Sequence, residues 1–185
     1  NIQNYADAAS KMSKVMASNA SMLKFLWLSL AVIIADQATK WIANTQLDYH
    51  QPVAVIPYLE WYLSYNPGAA FSFLADAGGW QRWFFTLLAI VISVVLLVWI
   101  RNLKPGEKLT AMALSLILGG AIGNLIDRVH LGYVIDFIQV WLGSYPWPAF
   151  NIADSAITVG VTILLVMNIF FHNDKEEMKQ DQKVI

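Results

Sequence analysis

Four apolar runs dominate the chain, at residues 23–43, 83–100, 109–126 and 152–171. Each is close to the ~20 residues that a helix needs to cross bilayer hydrocarbon. A backbone in hydrocarbon must satisfy its own hydrogen bonds, so the runs predict four transmembrane helices. Composition agrees, with 57% of the 185 residues hydrophobic and 14% charged, against roughly half and a quarter in soluble domains. The first run does not fit a cleaved signal peptide. It is too long and carries Asp36 and Lys40 where a cleavage site wants small neutral residues.

Residues 1–21 are polar and without period, and read as a disordered tail or a non-native remnant ahead of Met22. Residues 22–171 then form one four-span domain, and 172–185 a charged cytoplasmic tail. Nine of the twelve basic residues flank the spans on one side: Lys11, Lys14, Lys24, Arg101, Lys104, Lys108, Lys175, Lys179 and Lys183. Lys40, Arg82 and Arg128 fall on the other. The positive-inside rule then places both termini in the cytoplasm and the two long loops outside. A net charge of −1 gives no reason to expect a nucleic-acid partner. The absence of cysteine excludes disulfides and thiolate chemistry. His50, His130 and His172 show no ligand spacing, so neither a metal nor a cofactor is expected.

The first outer loop alternates from Val53 to Tyr65, with many aromatics, which reads as strand. Pro52 and Pro57 make it an edge strand or break it. Asn66-Pro67-Gly68 is a turn signal, and AAFSFLA after it reads as a short interfacial helix. The second outer loop holds a strand-like GYVIDFIQV and a two-proline SYPWPAF that should be irregular. The expected fold is membrane all-α: four transmembrane helices under a small extracytoplasmic β-sheet, or cradle. The loop Trp and Tyr residues suit an interfacial belt, with membrane lipid as a partner.

Polar residues misplaced in the spans all fall at one end of the expected bundle. They are Asp36, Gln37 and Lys40 late in span 1; Asn124, Asp127 and Arg128 late in span 3; and Asn151, Asp154 and Ser155 opening span 4. Alternating spans bring these ends together on the outer side, and intramembrane ionisable groups read as functional. Asp36 and Lys40, at i and i+4, suit an ion pair with Lys40 snorkelling to the interface. Asn124, Asp127 and Arg128 share a helix face, where Arg128 can hold Asp127 or another carboxylate. Asn66 and Gly68 taken alone read as turn residues.

Asp136 and Asp154 stand apart. A short loop folding back brings both to one place at the boundary. The helix dipole stabilises an Asp154 anion, while burial and a second carboxylate oppose charge. Two close carboxylates share a proton and serve as acid and base. The plainer alternative is that each caps or bonds local backbone.

Five segments, ADQATK (35–40), YNPGAAFS (65–72), GGAIGNLIDR (119–128), YVIDF (133–137) and FNIADS (150–155), occur in an order that resembles the lipoprotein signal peptidase (signal peptidase II) family, over about residues 23–171. Pro67 departs from the residue most expected in the asparagine–glycine motif. The resemblance implies an aspartic endopeptidase of the bacterial cytoplasmic membrane. By motif, Asp136 and Asp154 correspond to the catalytic dyad. Asp36, Lys40, Asn66, Gly68, Asn124, Asp127, Arg128, Asn151 and Ala153 correspond to positions around the pocket. The implied substrate is a prolipoprotein with diacylglycerol on its lipobox cysteine, cut just before that cysteine. A monomer is expected. Three other readings compete, one of them a structural assembly subunit with no chemistry. A Ser/Lys protease would use Lys40 with Ser72 or Ser155. A proton-coupled transporter would use the aspartates as a relay, but it expects charges spread through the membrane or inverted repeats.

Overall fold

Each apolar run folds as a helix, and the loops between them supply the strands. The computed structural model describes residues 5, 22–68 and 80–181, with backbone alone for 171–181. In chain order the elements are α1 (Leu26–Gln46), β1 (Val53–Ile56), β2 (Leu59–Asn66), α2 (Trp80–Asn102), α3 (Lys108–His130), β3 (Val134–Leu142), β4 (Tyr145–Pro146) and α4 (Ile152–Asp181). All four helices are long and apolar enough to cross a membrane, α4 over Ile152–Phe170. Its backbone stays helical to Asp181, into the expected charged tail. α1 ends three residues later than expected and α3 four residues later.

The bundle is built on α3, whose most apolar window is 56% buried against 17–28% for the other three. Small side chains make that position possible. A Cβ on Gly120 would strike the Ala153 carbonyl oxygen, and one on Gly123 would lie 2.6 Å from Asp36 Oδ2. Without them α1 and α4 approach α3 closely, and packing rather than the hydrophobic effect holds helices together in lipid. The Ser29 hydroxyl donates to the Ser115 carbonyl at 2.7 Å, tying α1 to α3. Arg82 at the start of α2 donates to the Arg128 and Val129 carbonyls at 2.9 and 2.8 Å. These are end carbonyls of α3 that lack helical partners. At the far end Met22, Leu96, Ile100, Leu103, Ala111, Leu114 and Leu118 form an apolar core. Trp27, Leu30, Leu87, Val94 and Leu165 are exposed outside it, as lipid-facing side chains are.

The sheet is antiparallel in the order β1-β2-β3-β4. Pro52 and Pro57 bracket β1 at its edge. The chain reverses at Pro57-Tyr58, with Tyr58 at φ 69°, so the alternating stretch is a hairpin and not one strand. SYPWPAF is more regular than expected. After a turn at Gly143 (φ 65°), Tyr145 and Pro146 pair with Leu142 and Trp141. Phe150 then exchanges N–H···O bonds of 2.9 Å with Ile138 in both directions. The prolines are accommodated because this return strand lies at the sheet edge. AAFSFLA and Ser72 lie outside the described residues.

Candidate active site

The site forms where α1 and α3 end and α4 begins, under the joined ends of β2 and β3. The β3–β4 hairpin carries the chain back so that Phe150 lies beside Ile138 and Asn151 opens α4. That return brings Asp136 and Asp154 together.

Asn151 is the N-cap of α4. Its Oδ1 accepts from the Asp154 backbone N–H at 2.9 Å, and Asp154 Oδ2 accepts from the Asn151 N–H at 3.3 Å. This is a reciprocal capping box built from Asn and Asp. The other side of the Asn151 amide faces β3, where Nδ2 donates to Asp136 Oδ1 at 2.7 Å and lies 3.2 Å from the Ile135 carbonyl. One fully buried residue thus bonds both carboxylates. Asp154 does cap its helix, as the plainer reading held, and is at the same time half of a carboxylate pair.

Asp136 is 3% exposed. Its second oxygen accepts from Asn66 Nδ2 at 3.2 Å. Asn66 has that amide group free for Asp136 because its Oδ1 takes the Gly68 N–H at 2.9 Å in an Asx-turn. Gly68 sits at φ 108°, where an added Cβ would lie 2.5 Å from the Phe85 ring. The turn roles expected of Asn66 and Gly68 hold, and the turn aims a donor at Asp136. Burial, then the Asp154 charge, push the Asp136 carboxyl up to about 7, against the pull of Asn66, Asn151 and Lys40.

Lys40 does not snorkel. It is 1% exposed, and its Nζ lies 2.9 Å from each of Asp36 Oδ2, Asp127 Oδ2 and Asn124 Oδ1. Three close acceptors outweigh the hydration the ammonium loses, as a buried charge requires. Asp36 Oδ1 accepts from the Ala153 N–H at 2.9 Å, in the first turn of α4, so fully buried Ala153 joins the site through its backbone. Asp127 Oδ2 also accepts from the Ile135 N–H at 3.1 Å and fixes β3 on α3. Of the partners expected for Arg128, Asp127 is held instead by Lys40 from another helix. The Arg128 guanidinium lies 5.5 Å from the centroid of the Phe85 ring, with Nη1 3.3 Å from the Asn124 carbonyl. Asn124 Nδ2 donates to Asp154 Oδ1 at 2.7 Å.

Sequence reasoning gave Gln37 no role. Its Nε2 lies 2.9 Å from Asp127 Oδ1 and 3.2 Å from both Asp36 Oδ2 and the Gly123 carbonyl. Its spacing of three before Lys40 on one helix face was the available signal. Ser155 turns its hydroxyl to the Asn151 carbonyl at 2.9 Å. With Lys40 committed to three acceptors, the geometry gives no serine–lysine pair there.

Four helices, a small sheet and two carboxylates bonded by one asparagine at a bundle end fit a membrane enzyme. The model of the family described as Signal peptidase (SPase) II matches residues 28–171. The lipoprotein signal peptidase of Pseudomonas putida is 51% identical over 92% of this chain and all of its own length. That of Acinetobacter baumannii is 53% identical over 84% of this chain and 89% of its own. A solved bacterial membrane enzyme superposes with a TM-score of 0.74 at 33% identity, over 82% of this chain and 91% of its own. The chain belongs to the signal peptidase II family and is a protease, a multi-pass bacterial membrane protein.

Proposed function

We propose that this protease removes the signal peptide from prolipoproteins bearing diacylglycerol on the lipobox cysteine, cutting just before that cysteine, with Asp136 and Asp154 as acid and base. The observation that carries the reading is the bonding of both carboxylates by Asn151 at one end of the bundle. The names of the relatives support the substrate class. With Asp136 at about 7, the carboxyl group retains a proton well above the usual carboxylate range, and the pair titrates as a unit. One carboxylate takes a proton from water, and the water oxygen bonds to the scissile carbonyl carbon. The other gives its proton to the carbonyl oxygen. The tetrahedral diol then collapses: one carboxyl gives the cysteine nitrogen a proton as the C–N bond breaks, and the other carboxylate takes a diol hydroxyl proton, which restores the pair. No covalent enzyme intermediate forms. Lys40, Asp36, Asp127, Asn124, Asn66, Gly68, Asn151, Ala153 and Arg128 support the pair or contact substrate.

The basic residues favour cytoplasmic termini and an outer-face site. There the acyl chains of the substrate, held in the outer leaflet, set the depth of the bond to be cut. Such positioning supplies part of the ~7–11 kcal/mol available from orientation in ideal cases. Remote binding energy then appears in kcat as well as in KM. The test is cleavage of the same precursor with and without its diacylglyceryl group, in one bilayer. The lipidated form is expected to show much the higher kcat/KM, with a product that starts at the lipidated cysteine. Equal values would refute lipid positioning.

A further inference from the structure

Lys40 is within 2.9 Å of three acceptors, as many as an ammonium has protons, and its side chain is 2% exposed. An ammonium donates only. The Asn124 atom facing it is therefore the carbonyl oxygen, which also lies 3.2 Å from the Asn151 amide nitrogen. Asn124 is thereby obliged to turn its NH2 toward Asp154, 2.7 Å from Oδ1. The flipped amide would set NH2 against an ammonium and a second NH2, and a carbonyl oxygen against a carboxylate.

Building on the two-aspartate reading, we propose that Lys40 is a positioning residue that fixes the sense of the Asn124 amide, so that Asp154 always receives an N–H and never a carbonyl oxygen. Lys40 acts through Asn124 and touches neither water nor substrate. Gln37 serves the same end one step back. Its bonds to Asp36 and Asp127 hold the two carboxylates that clamp the ammonium. The ionisable groups around the Asn124 amide are Asp36 and Lys40 on α1, Asp127 and Arg128 on α3, Asp136 on β3 and Asp154 on α4. Of these, Lys40 is the one that bonds the amide oxygen.

The test compares Lys40→Gln, Lys40→Arg and Asn124→Leu, each in bilayers with a lipidated precursor. Glutamine can donate or accept and no longer dictates the sense of the amide. Arginine only donates. K40Q is expected to lose about 100-fold in kcat with little change in KM, the size of effect that a small misplacement of reacting groups produces. The acidic limb of its kcat/KM profile moves up by about one pH unit, because an N–H that favours the charged form is lost. N124L shifts the limb in the same direction, and K40Q shifts it further, because K40Q removes the Lys40 charge as well as the contact. With Asp127→Asn added to K40Q to keep the local charge, N124L gives no further shift. K40R keeps the native limb. If K40Q does not fold, K40Q/D127N lacks the ammonium at the same net charge of the Asp36–Lys40–Asp127 trio, and the shift seen in N124L is expected of it. A native pH profile in K40Q or in K40Q/D127N, or a further limb shift when N124L is added to K40Q/D127N, would overturn the proposal. Full activity in Asp136→Asn or Asp154→Asn would overturn the two-aspartate reading instead, and the two failures are distinct.

Discussion

Asp136 shows how a carboxyl group acquires a proton near neutral pH. It is buried, lies near a second carboxylate, and among the described residues has neutral amides as its side-chain hydrogen-bond partners. Its ordinary value of 3.8 rises to about 7. The folded state therefore binds this proton more tightly than the unfolded chain does. The resulting stability is fully present below 3.8 and is lost as pH rises through about 7. Asp136→Asn keeps the shape without that loss. Its melting temperature relative to the unaltered chain should rise from pH ~5 to ~8. A constant difference across that range would show that the carboxyl is not held up. Infrared titration gives a second check. The protonated carboxyl band of Asp136 should disappear around pH 7, and in Asp154→Asn its midpoint should fall, because one of the two causes that raise it is gone.

At the scale of elements, the start of α4 has two jobs, and substitution separates them. Serine caps helices nearly as well as asparagine, and alanine does so worse by about 1 kcal/mol. Asn151→Ser should thus be more stable than Asn151→Ala by roughly that amount. Both lose the donor to Asp136, and cleavage should fall in both. If N151S cleaved normally, Asn151 would be a cap and nothing more. Gly120→Ala places a methyl against the Ala153 backbone, and should destabilise by about 1–3 kcal/mol through overpacking, read as a lower melting temperature. The helices were legible because hydrocarbon imposes a length and a composition. The hairpin was half legible, through alternation and Pro57. The fate of Lys40 was not, because an i,i+4 pair looks the same whether its lysine reaches water or is buried. Asn124 and Asp127, more than eighty residues on, decide that. Partners of this kind also hid the roles of Gln37 and Ile135, and reassigned Asp127 from Arg128 to Lys40. The Asn151 cap lay in the local pattern N-I-A-D, but its bond to Asp136 required the β3–β4 turn.

For the whole molecule, the account places a water-consuming reaction at the edge of a membrane with the carboxylate pair facing outward. The nine-to-three distribution of basic residues predicts that a reporter fused after Lys179 stays in the cytoplasm. Accessibility of that reporter from outside would invert the arrangement. The bundle brings three helix ends and two strands to one point, and the central claim is that Asp136 and Asp154 perform the cleavage there. The most direct measurement follows release of the signal peptide from a diacylated prolipoprotein by the unaltered enzyme, Asp136→Asn, Asp154→Asn and Ser155→Ala, each reconstituted in the same vesicles and shown to be folded. The account predicts cleavage by the unaltered enzyme and by Ser155→Ala, and none by either aspartate variant. Cleavage at the unaltered rate by either aspartate variant would contradict it.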